Sequence, residues 1–243
     1  MQKIIYKKAP SGRIAQSGRL AKIISMTMII LGAMSIGGVI GPIIGYFIVV
    51  SPQLNSGRNL VSPLPSANNF QVLGANNFSP AVYQQLDYTK PENWFPDAGY
   101  PSQNISKITS YSISIPKIRI DSMTVIIGGT DLSKSLIHYP GTANPGGLGA
   151  PVIFGHSILR QFYNPKSYIS IFSTIMTLAP GDEIKIRYDG VAYNYRVIDK
   201  IEVKPEDIQI LEQKYNGRYL KLVTCVPEGT YLRRGVVIAE LTI

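Results

Sequence analysis

The sequence predicts an all-β domain, a closed barrel or a sandwich, preceded by one membrane-spanning helix. After residue 109, short segments alternate polar and apolar residues, and turns rich in Gly, Pro and Asp separate them. Residues 23–50 carry no charged side chain. Seven or eight short strands with only brief helical pieces between them are typical of barrels and sandwiches.

Composition excludes several kinds of site. The chain has 243 residues, enough for one domain with appendages or for two small domains. One Cys excludes an internal disulfide and any Cys-rich zinc or iron–sulfur site. Besides this Cys, only two His are available as ligands for such a site. We therefore expect no metal site and no cofactor.

The net charge of +9 is concentrated at the amino terminus. Residues 1–50 contain no acid, and the first acid in the chain is Asp87. Six basic side chains account for two thirds of the net charge: Lys3, Lys7, Lys8, Arg13, Arg19 and Lys22. We therefore expect no nucleic-acid partner and interpret the basic tail, residues 1–22, as a topology signal that also contacts anionic lipid.

The uncharged stretch, residues 23–50, predicts a transmembrane helix. At about 1.5 Å per residue it is longer than the roughly 30 Å hydrocarbon core, which allows tilt or a kink at Pro42. A buried soluble helix and a cleaved signal peptide are the alternatives, but signal peptides have shorter apolar regions and an A-x-A-like site. The positive-inside rule predicts a cytoplasmic tail and an extracellular remainder.

Residues 51–109 predict a spacer. They are rich in Ser, Pro, Asn and Gln and nearly free of charge before Asp87, as in flexible linkers. The alternative is that the aromatic pair in Asn93–Asp97 folds back over a groove as a lid.

The remaining residues, 110–243, form the predicted β-domain. Strands are expected over the following segments: 112–115, 124–127, 151–154, 184–188, 193–197, 199–203, 219–225 and 235–243. Helical pieces are expected over residues 132–137, 169–178 and 206–214.

The single Cys, Cys225, closes an apolar strand. A loop containing Pro227 and Gly229 then leads to Arg233 and Arg234, which open the next predicted strand. If the two strands are neighbours, the thiol and a cation lie at the same end of the sheet, as a nucleophile and its oxyanion partner require. The alternatives are a buried Cys acting as a small apolar side chain and solvated arginines.

Two histidines are candidates for the partner of a thiol. His156 follows a buried-type strand and Gly155, so it lies at a strand end. His138 has an equal claim from its local sequence, and either could instead be structural.

Taken together, these segments resemble the sortase family over residues 108–243. The resemblance rests on these segments in this order: Ile115-Pro116-Lys117-Ile118, His138-Tyr139-Pro140-Gly141-Thr142, Gly149–His156, Pro180–Ile184, Tyr193–Val197, Leu222–Pro227 and Arg234. It implies a closed sortase-type β-barrel of seven to eight strands. It also implies that Cys225 is the nucleophile, His156 the general acid/base and Arg234 the oxyanion-stabilising cation, with the adjacent Arg233 as the alternative.

The resemblance assigns His138 to a non-catalytic position and gives Thr224 a supporting role. Two residues depart from the family pattern, namely Lys221, where Thr is usual, and Ser157, where Arg is frequent. These departures bear on the sub-class and the substrate. We expect no second span after Ile243, which favours a singly anchored class A/D/E-like enzyme over the doubly anchored pilin type.

The implied activity is transpeptidation. Sortases cut a Leu-Pro-x-Thr-Gly-like sorting signal of secreted proteins through a thioacyl intermediate, and transfer it to an amine such as a cell-wall precursor or a pilin Lys. The implied location is the outer face of a bacterial plasma membrane. The alternatives are a membrane-tethered extracellular cysteine peptidase and a non-enzymatic surface-binding β-domain. Papain-like peptidases usually carry Cys before His, the reverse of the order found here.

Overall fold

The computed structural model describes residues 14–56, 87–95, 98 and 108–242. The chain divides into two compact units, and the division falls between Val49 and Val50. Residues 51–56 and 87–95, which the sequence assigns to the spacer, belong to the second unit together with the β-domain. The rest of the predicted spacer and the basic tail up to residue 13 lie outside the described residues, so the predicted domain boundaries stay predictions.

The first unit is formed by one long apolar helix, α1 (Ile14–Gly45), which contains Pro42. A π-helical turn, Tyr46–Val50, continues it. The helix is long and apolar enough to cross a membrane, as predicted, and it suits a membrane anchor by length and composition.

The described residues of the second unit form nine strands. They are β1 (Asn55–Ser56), β2 (Ser110–Ile115), β3 (Ile120–Ile127), β4 (Leu136–His138), β5 (Val152–Phe154), β6 (Glu183–Tyr188), β7 (Val191–Val203), β8 (Tyr219–Val226) and β9 (Arg233–Leu241). Along β2 and β6 every second side chain is buried, which is the pattern of a strand with one face on a core.

Eight of these strands close into a barrel. The order is β7-β6-β2-β3-β4-β5-β8-β9, and β9 pairs back onto β7 to close it. Closure is possible because β7 is long enough to pair with β6 through its first half and with β9 through its second. The two-residue β1 adds a short parallel pairing to β7 at Ile201 and Glu202. The predicted closed barrel is therefore confirmed, and the sandwich alternative is not.

Several predicted elements need correction. The two strands expected over 193–197 and 199–203 are one strand, which continues through a bulge between Val197 and Asp199. The helix expected over 132–137 is wrong, because residues 136–138 pair with strands on both sides and form β4. The other two expected helices are reduced to single 3-10 turns, at Ile175–Thr177 and Ile208–Leu211.

His138 is a structural residue of the barrel core. It is almost fully buried, and its Nδ1 lies 3.0 Å from the Tyr111 hydroxyl. Its Nε2 lies 2.8 Å from Thr142 Oγ1, which itself donates to the Tyr139 carbonyl. Nε2–H is therefore the donor to Thr142, and Nδ1 accepts from Tyr111. Burial lowers the pKa of His138 to about 4.

We predict that His138 makes the fold acid-sensitive. The unfolded chain binds a proton at this ring near pH 6.5 and the folded chain only near pH 4, so the free energy of unfolding falls by up to about 3 kcal/mol as the pH drops through this window. Urea unfolding of the full chain in detergent, between pH 7 and pH 4.5, measures the slope. His138→Gln flattens it, whereas the matched variant His156→Gln keeps most of it. An unchanged slope in His138→Gln would contradict this account.

Candidate active site

Strand register brings the three predicted site residues into one row, which we call the site row. In the parallel pair of β5 and β8, Phe154 lies opposite Val223. His156 lies two residues after Phe154, and Cys225 lies two residues after Val223. The two side chains are therefore at the same level. In the antiparallel pair of β8 and β9, Cys225 lies directly opposite Arg234. The row is thus His156, Cys225 and Arg234, in adjacent chain segments.

Arg234 is the cation of the row, and it is fully buried, with 0% of its surface exposed. Its Nε and Nη2 donate to the Trp94 carbonyl at 3.2 and 3.1 Å. Its Nη1 donates to the carbonyls of Tyr231 and Arg233. The guanidinium carbon also lies 5.5 Å from the centre of the Trp94 ring and 5.6 Å from that of Tyr88, within cation–π range.

Cys225 is buried in this arrangement, with 1% of its surface exposed. Burial raises the pKa of the Cys225 thiol, and the positive charge of Arg234 partly opposes that rise. Since the thiolate is the nucleophilic form, the covered thiol is held in its less reactive state, and the nearby cation is the group that favours ionisation.

His156 is 9% exposed and lies beside Trp94, with 6.1 Å between the ring centroids. Burial lowers the pKa of His156, while the carboxylates of Asp131 and Asp87 act in the opposite direction. A neutral imidazole and a neutral thiol are therefore the favoured forms in the covered site.

Hydrogen bonds fix the strand ends that carry the row. Ser157 Oγ donates to the Cys225 carbonyl at 2.6 Å. Thr224 Oγ1 donates to the Gly155 carbonyl at 2.9 Å. No side chain fits at Gly155, because a Cβ there would lie 2.4 Å from the Phe172 ring. His156 therefore starts from a backbone that is bonded directly to the strand of Cys225.

The loops beyond His156 and Cys225 are also joined. Arg160 Nε and Nη2 both donate to Glu228 Oε1, at 2.8 and 2.6 Å, and the Glu228 carboxylate is mostly buried. A partly buried, charge-assisted contact of this kind is stronger than an exposed ion pair. It restrains both loops at the same end of the barrel.

Residues 87–95, which we call the covering segment, lie over the site row. The Leu132 amide donates to the Thr89 carbonyl at 2.9 Å, and the Tyr88 ring stacks on Tyr231 at 4.2 Å. Within the segment, Trp94 Nε1 donates to the Tyr88 carbonyl at 2.8 Å. Trp94 is fully buried and stacks on Phe154 of β5. This is the position expected of the lid alternative, although residues 96–97 of that motif lie outside the described residues.

Comparison with known proteins identifies the family. A sequence profile described as the Sortase domain matches residues 113–242, which is more than half of the chain. The chain belongs to the sortase family. Sortase A of Bacillus anthracis is 26% identical over 190 residues, which cover 73% of this sortase and 85% of that protein.

Solved structures of similar sequence carry the same family name. A Clostridium perfringens sortase D5 transpeptidase is 27% identical and covers 56% of this chain and 79% of its own, with a TM-score of 0.47. Sortase A from Corynebacterium diphtheriae is 26% identical and covers 70% and 72%, with a TM-score of 0.48.

The structure separates the row from the other sequence candidates in this sortase. His138 is bonded inside the barrel and is not one of the residues around Cys225. Arg233 is half-exposed and pairs with Glu202 at 3.2 Å. Lys221 bonds to the loop between β7 and β8, away from the row. No group of three or more potential metal ligands occurs among the described residues.

Three contributors to the site have no clear signal of their role in the sequence. Ser157 stands out there only as a departure from the family pattern, and its bond to the Cys225 carbonyl spans two distant segments. Tyr88 and the Arg160–Glu228 pair had no recognisable signal, because single residues in loops carry no periodicity.

We predict that Trp94→Ala exposes the thiol. Removing the ring uncovers Cys225, so the rate of its alkylation by iodoacetamide rises about tenfold or more. Because the chain has one Cys, intact mass gives the rate without ambiguity. Phe162→Ala removes an aromatic ring that is 63% exposed and serves as the matched control, with an unchanged rate. Equal alkylation of wild type and Trp94→Ala would show that the covering segment does not protect the thiol.

Proposed function

We propose that this sortase cleaves a Leu-Pro-x-Thr-Gly-like sorting signal of secreted proteins and transfers the acyl part to a surface amine. The observation that carries the proposal is the pairing of Cys225 with Arg234, level with His156. A thiol, a fixed cation and an imidazole in one row are what acyl transfer through a thioester needs. Membership of a family of cysteine transpeptidases supports the same reaction.

In the first step, the Cys225 thiol gives its proton to the neutral His156, and the resulting thiolate attacks the carbonyl carbon before the scissile bond. The oxyanion of the tetrahedral intermediate takes the place at the Arg234 guanidinium that the Trp94 carbonyl holds in the covered site. The C–N bond then breaks, the leaving amine takes a proton from the His156 imidazolium, and the acyl group remains on Cys225 as a thioester.

In the second step, an amine attacks the thioester carbonyl. His156 accepts the proton of the attacking amine, the C–S bond breaks, and Cys225 leaves as the thiolate. A cell-wall precursor or a pilin Lys is the proposed acceptor. Water in place of the amine would give hydrolysis, the reaction of the cysteine-peptidase alternative.

We further propose a single-pass topology in a bacterial plasma membrane. The six basic residues within residues 1–22, before the uncharged stretch, support a cytoplasmic amino terminus, and the catalytic barrel is then extracellular. Secreted substrates emerge at that face of the membrane.

We predict that Cys225→Ala abolishes cleavage of a fluorogenic Leu-Pro-x-Thr-Gly peptide while thermal unfolding stays close to that of wild type. His156→Gln lowers kcat at least about a hundredfold, since general acid–base catalysis contributes on that scale. Full cleavage by Cys225→Ala would overturn the assignment. A product ratio that does not change with added amine would favour hydrolysis over transfer.

Adjacent arginines provide a matched pair of variants. Arg234→Ala lowers kcat/KM by about a hundredfold or more, because it removes the cation that stabilises the oxyanion. Arg233→Ala removes a half-exposed ion pair with Glu202 and changes kcat/KM only a few-fold. Steady-state kinetics of both variants measure the two losses. A larger loss of kcat/KM in Arg233→Ala than in Arg234→Ala would assign the oxyanion-stabilising role to Arg233.

A further inference from the structure

A chamber lies beside the site row, next to the part of β8 that carries Lys221. Its volume is about 280 Å³, and it opens between β8, β9 and the loop joining β7 to β8. Ile201, Ile210, Val236 and Ile238 supply its apolar lining. Val236 and Ile238 lie two and four positions after Arg234 along β9, so the chamber and the site row lie on the same face of the sheet.

One charged side chain of the chamber comes from the strand of the nucleophile. Lys221 lies on the same face of β8 as Cys225, because the two residues are four positions apart. Its Nζ donates to the Ile210 and Glu212 carbonyls at 2.5 and 3.2 Å. An ammonium has three N–H donors, and no described residue accepts the third. Lys214 adds a second positive charge to the lining.

Neither the reaction nor the core requires an ammonium at this position. The mechanism above uses no group at Lys221, and the sortase pattern has Thr here. A partly buried lysine is unfavourable unless a partner compensates it, and two neutral carbonyls compensate it only in part. A carboxylate entering the chamber would reach the free donor and find the charge of Lys214 beside it.

The distance from Cys225 to Lys221 along β8 corresponds to a definite number of substrate residues. Four residues along β8 span about 13 Å, the length of four residues of an extended peptide. When the carbonyl of the residue before the scissile bond lies at Cys225, the residue four places upstream reaches the level of Lys221. In a Leu-Pro-x-Thr-Gly signal, that residue immediately precedes the Leu.

We propose that Lys221 selects substrates with an acidic residue immediately before the sorting motif. The ammonium of Lys221 pairs with the carboxylate of the acidic residue, and the apolar lining of the chamber contacts the side chain of the next residue, the Leu of the motif. The proposal rests on the proposed function, because it takes the scissile carbonyl to lie at Cys225.

The selectivity weakens at high pH. Burial, followed by the charge of Lys214, lowers the pKa of Lys221 to about 8, and Glu212 partly opposes the change. Those two loop residues are the charged groups that act on the ammonium, while β5 and β9 present Val152 and Ile238 at its level. The preference is therefore present at pH 7 and declines as the pH rises to 9.

The test compares two peptides, Glu-Leu-Pro-x-Thr-Gly and its Gln isostere, on the full chain in detergent. At pH 7 we expect kcat/KM about tenfold higher for the Glu peptide, through KM. The ratio falls to about one in Lys221→Met and to about two at pH 9, where about a tenth of a lysine with a pKa of about 8 remains protonated, and it persists in Lys221→Arg. Lys185→Met changes an exposed lysine of β6, serves as the matched control and keeps the ratio. Because both peptides meet the same enzyme, a general loss of activity cancels from the ratio.

Equal kcat/KM for the two peptides in wild type, or a preference that survives Lys221→Met, overturns the inference and leaves the proposed function intact. If neither peptide is cleaved, the proposed function fails for this motif. The dissociation constants of the two peptides from Cys225→Ala then test the role of Lys221. Tighter binding of the Glu peptide, abolished by Lys221→Met, supports it, whereas equal dissociation constants overturn it.

Discussion

The site is organised around a buried guanidinium that has no carboxylate partner among the described residues. Arg234 is fully enclosed, and its described hydrogen-bond acceptors are backbone carbonyls. Removing such a charge from water costs several kcal/mol unless hydrogen bonds and close charges compensate it. Compensation comes from the Trp94 carbonyl and the rings of the covering segment. A carboxylate in that place would neutralise the cation, whereas a carbonyl leaves its positive charge uncancelled, as the proposed oxyanion role requires.

The same contact links coverage of the site to the chemistry of the thiol. With the covering segment in place, burial raises the pKa of Cys225 and lowers that of His156, so both groups favour their neutral forms. Displacing Trp94 removes two hydrogen bonds from Arg234 and admits solvent to the thiol. In the proposed mechanism a substrate carbonyl would replace the Trp94 carbonyl and restore the lost bonds, so such a ligand would favour displacement of the covering segment.

Much of the fold was predictable because it depends on local patterns. Alternating segments and Gly- or Pro-containing turns predicted the strands, and the charge-free stretch predicted α1. β4 was missed because its three residues are buried and carry no alternation, and its pairing with β3 is a long-range contact. The continuity of β7 was missed because a bulge interrupts its period.

The row of Cys225, His156 and Arg234 followed from motifs that lie at strand ends, where register alone brings residues together. The supporting contacts did not follow. Ser157 to the Cys225 carbonyl and Arg234 to the Trp94 carbonyl join segments far apart in the chain, and nothing local marks either partner. The aromatic pair in residues 93–97 suggested a lid. The acceptor of the Arg234 hydrogen bonds is the Trp94 backbone carbonyl, however, and no residue type marks such a contact in the sequence.

In the proposed reaction, Cys225 carries the acyl group from one amine to another. Intact mass spectrometry of the full chain, acid-quenched after mixing with a sorting-signal peptide, detects such an acyl-enzyme. We expect a mass increase equal to the acyl half of the peptide, located on Cys225 and removed by hydroxylamine or an acceptor amine. Peptide turnover without any such adduct, or an adduct on another residue, would show that Cys225 is not the acyl carrier.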